Sequence, residues 1–231
     1  MSAALRPLDA ASAQSIARAF LPPHPFGNRW DYYYTRTKLG TDPLYPGVCE
    51  VLRGSDAPLL DMGCGLGLLA HTLRAAGIEA PYVGVDSDAG KIARGRRVAE
   101  RAGLRDVAFQ TVDLAQVIPA HRGSVAILDV LQFIPAEAQV RAVDAAIAML
   151  TPGARLVIRT GLSDGSRRAR ITRAVDVFSR VVGWMHATPR ELPTADLLRG
   201  RFEAAGLVSE FTPLYGNTPF NNWRVVAERS G

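Results

Sequence analysis

The sequence predicts a doubly wound α/β fold, and three observations carry that prediction. From residue 55 onward, short β-rich runs alternate with helical stretches. The runs are apolar on both faces, which is the pattern of a parallel sheet covered by helices on two sides. The chain then ends differently, on two β-rich runs joined by "GNTPF", a connection short enough for an antiparallel pair. A mostly parallel, seven-stranded sheet with an antiparallel C-terminal pair is therefore expected.

The elements follow in order. Before residue 55, helical pieces are separated by "LPPHPFG" and "GTDPLYPG", whose prolines and glycines are expected to stop any helix that enters them. Residues 1–54 read as a helical lid over a substrate site, and residues 55–231 as the core. The expected strands are "PLLDMG" (58–63), "YVGVDS" (82–87), "VAFQTVD" (107–113), "VAILDV" (125–130) and "ARLVIRT" (154–160), followed by "LVSEFTPLY" and "NNWRVVAER". Helices are expected around 67–76, 89–102, 136–150 and 194–205, with a short one near 115–121. An insertion at about 161–193 carries one further helix with Ile171, Val175 and Phe178 on a face.

Composition narrows the class. With 231 residues, 48% hydrophobic and 21% charged, the chain is long enough to bury a substantial core. Arg6, Asp9 and Arg18 interrupt the start, and nothing later approaches the roughly 20 apolar residues of a membrane span. A cytoplasmic protein is expected. Cys49 and Cys64 are the only cysteines and read as packed thiols, since a chain of this size needs no disulfide. The net charge of +5 permits an acidic partner without identifying one.

The stretch "LLDMGCGLGLLA" (59–70) is a buried strand, a glycine turn and a helix. In an open parallel sheet this unit floors the ligand site, and Gly63, Gly65 and Gly67 let a ligand approach the backbone beside helix amides. The dinucleotide fingerprint G-x-G-x-x-G fails here, because Leu68 stands where its third glycine belongs. What remains is D-x-G-x-G-x-G, with Asp61 a poor neighbour for a pyrophosphate and a good one for a ligand ammonium group.

On these residues the chain resembles the class I S-adenosylmethionine-dependent methyltransferases of the small-molecule type. "LDMGCGLG" matches their first motif, ordered motifs run over roughly residues 55–160, and the antiparallel end agrees with their seventh strand. The resemblance implies a Rossmann-like sheet with S-adenosyl-L-methionine as cofactor. It assigns cofactor contacts to Asp61, Gly63, Cys64, Gly65 and Gly67, to Asp86 and Ser87 (ribose hydroxyls), to Asp113 and Leu114 (adenine), and to Asp129 and Val130 (methionine part). Asp86 lies 19 residues after Gly67, close to the spacing of about 20 expected of a ribose-binding acid.

The lid stretch "NRWDYYYTRTKL" offers Tyr32, Tyr33 and Tyr34 to a substrate or sulfonium, and Arg36 to the cofactor carboxylate. Gln132 and Phe133, after the fourth strand, are further substrate candidates; Gln132 stands where many relatives carry a histidine. Catalysis by alignment needs a base only for a protonated acceptor, so His24, His186 and Gln132 are weak catalytic candidates, while His71 and His121 read as structural. "RTGL" after the fifth strand supplies no metal ligands, so no metal is expected.

The implied activity is O- or C-methylation of a small molecule, with an aromatic, polyketide-like or carrier-bound acceptor, as in secondary metabolism. The lid loosely resembles that of methyltransferases from bacterial aryl-polyene pigment clusters. The basic run "SRRARITR" (166–173) fits an acidic carrier protein, RNA phosphates or a solvated face. RNA methylation is second, since that run has no interleaved aromatic. An inactive cofactor-binding partner subunit and a nicotinamide oxidoreductase stand behind it.

Overall fold

The computed structural model describes residues 5–163, 192–214 and 221–229. Its strands are β1 (Leu59–Met62), β2 (Tyr82–Asp86), β3 (Val107–Thr111), β4 (Ser124–Leu128), β5 (Arg155–Gly161), β6 (Leu207–Pro213) and β7 (Asn222–Arg229). They form one sheet in the order β3-β2-β1-β4-β5-β7-β6. Strands β1 to β5 pair in parallel, and β7 runs antiparallel to both β5 and β6. The doubly wound sheet with an antiparallel end is thus present. The chain moves outward from β1 to β3 and returns to β4 beside β1, which puts the switch point, where such sheets bind ligands, between those two strands.

The helices are α1 (Ala10–Arg18), α2 (Trp30–Thr41), α3 (Leu44–Leu52), α4 (Leu68–Ala75), α5 (Ala89–Arg101), α6 (Ala136–Met149) and α7 (Ala195–Ala204). Because side chains alternate across a strand, β1 sends Leu60 and Met62 into a core with Ala142, Leu198 and Phe202 of α6 and α7. Leu59 enters a second core on the opposite face, shared with α1 to α5. Helices α1, α2 and α3 are therefore packed into this second core through Ala13, Leu39 and Val48. None of the described helices is long and apolar enough to cross a membrane.

Three expectations need correction or restriction. No helix forms at 115–121, where the chain makes a single turn. Asp113 Oδ1 accepts the Ala115 N–H at 2.9 Å, which closes a local turn, and Pro119 cannot donate to extend it. Helix α3 runs through Pro46 and Gly47 instead of stopping at them. Pro46 falls in the first turn, where the N–H it lacks would have had no helical partner. The insertion helix with Ile171, Val175 and Phe178 lies outside the described residues.

Phe202 is fully buried and fixes α7 to the sheet. Phe202→Ala is expected to cost about 3–5 kcal/mol through lost contact and a residual cavity, read as a lower midpoint in urea unfolding.

Candidate active site

The site forms where the turns after β1 and β4 meet. Gly63 has φ +82°, and a Cβ there would lie 2.1 Å from Val130 Cγ2, so only glycine lets the two turns close. Gly67, at φ +76°, caps α4, and a Cβ on it would lie 2.5 Å from the Phe109 ring. Gly65 differs. Its φ is +57°, yet a Cβ there would meet no atom within 4 Å. The middle glycine faces open space at the point where the flanking two are locked into the protein.

Asp86, at the end of β2, turns its carboxylate toward this loop. Its Oδ2 accepts the Gly65 N–H at 3.0 Å and its Oδ1 accepts the Asp88 N–H at 2.9 Å. Two backbone donors thereby fix its orientation, while the carboxylate keeps lone pairs for a ligand. Ser87 is exposed next to it. Asp113 is exposed beyond β3, and Leu114 sends its side chain into the core, leaving only its backbone to a ligand. Cys64 packs its thiol into the space left by Gly84, where a Cβ would approach Sγ to 2.8 Å. Burial, with Asp61 and Asp86 nearby, pushes that thiol's pKa well up. It is an inert packing group, as is buried Cys49, pushed up to about 11 by burial.

Asp61 is 2% exposed and accepts the Tyr82 hydroxyl on Oδ2 at 2.6 Å. Its Oδ1 is buried without a hydrogen-bond partner. Burial, partly offset by the Tyr82 hydrogen bond and reinforced by Asp86, raises its pKa to about 7.

At the end of β4 four charges gather. Asp129 adopts a left-handed φ of +61°, uncommon outside glycine, and its Oδ2 accepts from Arg159 and lies 3.5 Å from Lys38. Asp42, which follows α2, pairs with Lys38 at 2.7 Å and with Arg159 at 3.3 Å. Partial burial and Arg159 oppose the Lys38 charge, but Asp129 and Asp42 outweigh them and hold its pKa above the ordinary range. Burial likewise opposes the Asp42 charge, and the two cations overcome it and lower its pKa. Tyr34 stands within electrostatic reach of all four groups.

The remaining candidates divide. Gln132 and Phe133 lie on the single 3-10 turn Leu131–Phe133, directly after Asp129 and Val130. The Thr160 hydroxyl donates to Gln132 Oε1 at 3.4 Å, which leaves the amide N–H groups as donors. Tyr32 is half-buried against the lid core, whereas Tyr33 and Arg36 are exposed. Lys38, not Arg36, is the lid cation that reaches the strand edge. His24 is exposed in the α1–α2 connection, and His186 lies outside the described residues, as does the 166–173 run. His71 is buried beside Phe20, its pKa lowered to about 4 by burial, and His121 Nε2 lies 3.0 Å from the Ser124 carbonyl. Both serve packing. Among the described residues, no group of three His, Cys, Asp or Glu side chains is placed to hold a metal ion.

Sequence reasoning missed Lys38, Asp42, Arg159, Tyr82 and Thr160. Arg159 left a signal, since an arginine inside the apolar run "LVIRT" must find an acid when that strand is buried.

Comparison with known proteins agrees with the geometry. Residues 59–153 match the family model described as "Methyltransferase domain". A 23S rRNA (uracil(1939)-C(5))-methyltransferase of Stenotrophomonas maltophilia is 37% identical over 86 residues, which are 37% of this chain and 19% of that protein. A ubiquinone biosynthesis O-methyltransferase of Xylella fastidiosa is 32% identical over 108 residues, 46% of this chain and 42% of that protein. The chain thus spans less than half the length of either curated relative. Among solved structures, the magnesium protoporphyrin IX methyltransferase of Synechocystis with bound SAH superposes with a TM-score of 0.61 at 19% identity, covering 92% of each chain. The mitomycin 7-O-methyltransferase gives 0.63 at 19% identity, covering 87% of this chain and 57% of that one. Residues 59–153 thus match a methyltransferase domain at the switch-point turns, and the chain shares the fold of these solved methyltransferases.

Proposed function

We propose that this protein transfers a methyl group from S-adenosylmethionine to an oxygen or carbon nucleophile of a small molecule, with an aromatic or polyketide-like acceptor. The observation that carries the reading is the open space at Gly65, whose N–H Asp86 accepts at the end of β2, with Asp61, Asp113 and Asp129 at or just beyond the ends of three other strands. The donor set suits this cofactor. Asp86 is pre-oriented for two ribose hydroxyls, Asp113 keeps Oδ2 for an adenine amine, and the orphaned Asp61 Oδ1 calls for a hydrogen-bond donor or a cation. When bound, the cofactor supplies an electrophilic methyl group on a sulfonium. The protein's own contribution is placement. Arg159 and Lys38 fix Asp129, Tyr34 stands within electrostatic reach of that cluster, and Gln132 offers an oriented donor to the acceptor oxygen. A carrier-bound acceptor, with the 166–173 run as its dock, is a narrower version of the same proposal. RNA as acceptor is supported less, since the rRNA enzymes share only 19% of their length with this chain.

Calorimetric titration tests the site directly. Wild type is expected to bind S-adenosylmethionine and S-adenosylhomocysteine, and Asp86→Ala to bind both about 10–100-fold more weakly, the size of hydrogen bonds to a charged group. Binding of NADH with neither sulfur ligand would overturn the reading.

The glycine turn gives a second contrast. Gly65→Ala meets no atom and is expected to lose only the roughly 1–2 kcal/mol of a left-handed non-glycine residue, yet to weaken cofactor binding about tenfold or more. Gly67→Ala must also displace Phe109, so its melting temperature is expected to fall further than that of Gly65→Ala.

Asp61 predicts a pH dependence. Its folded pKa of about 7 exceeds the ordinary 3.8, so the ligand-free folded state binds the extra proton. That contribution is fully present below about 3.8 and is lost as pH rises through 7. Asp61→Asn keeps an acceptor for Tyr82 and is expected to raise thermal stability more at pH 8 than at pH 5, measured by melting in each buffer without ligand. The same variant is expected to bind S-adenosylmethionine more weakly.

A further inference from the structure

The outer side of the lid carries a surface that the site does not use. The connection from α1 to α2 passes through Pro22, Pro23 and Pro25 to Phe26, whose side chain is fully exposed at 102%. Trp30 and Tyr33 follow at 52% and 53% exposed. On α2, Trp30, Tyr33 and Arg36 recur every three residues and form one stripe, while Thr35 and Leu39 are buried on the inward side.

The charge around this stripe is mainly positive. Between Ala10 and Thr41 the exposed bases are Arg18, Arg29 and Arg36, Lys38 being turned inward onto Asp42 and Asp129, and Asp31 is the only acid. Asp31 is already paired with Arg94 of α5 at 3.0 Å. Helix α5 adds exposed Arg97 and Arg101 against a single acid, Glu100. Arg101 donates to the Ala19 carbonyl, so the C-terminal ends of α5 and α1 are joined and the basic surface is continuous with the lid.

We propose that this face is a docking surface for an anionic lipid bilayer. Phe26 and Trp30 enter the headgroup boundary, and Arg18, Arg29, Arg36, Arg97 and Arg101 meet the lipid phosphates. Aromatic rings beside arginines match both layers of such a surface, because the ring finds apolar acyl carbon and the guanidinium finds phosphate a few ångströms away. Charge complementarity supplies the occupant, since each arginine near an anionic surface adds attraction of its own. A nucleic acid fits less well. Base stacking wants a ring set in a groove, and Phe26, exposed on every side at the tip of a proline-rich turn, has no neighbour to complete one. Surface binding stands apart from methyl transfer, and either holds if the other fails.

The test is co-sedimentation of the full chain with vesicles of phosphatidylcholine alone and of phosphatidylcholine mixed with phosphatidylglycerol. Binding is expected to the mixed vesicles only, and to weaken as salt shortens the Debye length below about 8 Å. Phe26→Ser with Trp30→Ser is expected to remove most of it, and Arg29→Gln or Arg36→Gln to weaken it about fivefold each. Val208→Ser, exposed on the far edge strand β6, is expected to change nothing. The arginine variants alter no core contact, so they remain informative if the aromatic pair misfolds. No binding to anionic vesicles overturns the proposal, as does binding that survives both the aromatic and the arginine substitutions. Binding of polyuridylate in place of vesicles, lost in the same variants, would overturn it in favour of nucleic acid.

Discussion

Arg159 is the constraint on which the site depends. A guanidinium only 6% exposed at the end of β5 cannot remain charged in an apolar interior without acids around it. Asp129 comes from the neighbouring strand end and Asp42 from the end of α2, and Lys38 balances the second of these acids. One buried charge thereby ties two things together: the left-handed turn at Asp129 and the end of α2 at Asp42. The ion pair of Asp31 with Arg94 holds the other end of α2 to α5. Helix α2 is thus tied at both ends by charge and along its middle by Thr35 and Leu39.

The glycine turn answers a different demand. Gly63 and Gly67 combine a positive φ with protein atoms at the place of a Cβ, whereas Gly65 is required by its φ of +57° alone. A spacing that looks uniform in sequence therefore combines two packing devices with one purely conformational position. The buried Asp61 belongs to the same economy. An acid with an orphaned oxygen lowers the stability of the ligand-free fold near neutral pH, and sites commonly store such a cost where a ligand can relieve it.

Much of this was legible in one dimension. The β1–turn–α4 unit, the acids at the ends of β2 and β4 and just beyond β3, and the antiparallel tail were all visible, because periodicity and glycine spacing are local properties. Two local rules misled. Pro46 does not break a helix when it falls in the first turn, and the helical texture of 115–121 yields to the Asp113 side chain and Pro119. That Lys38 pairs inward while Arg36 is exposed was not legible, because α2 has a weak amphipathic pattern, and its inward side is set by the core it meets.

The sequence by itself determined the class of the fold and the glycine turn after β1, since both follow from residue types at short spacing. Only the tertiary structure decided which charges meet. Lys38, Asp42, Asp129 and Arg159 are spread over more than a hundred positions of the chain, and beyond the i,i+4 spacing of Lys38 and Asp42 no local pattern links them. They come together because the burial of β5 forces Arg159 to be neutralised by whatever acids the strand order and the lid bring within reach.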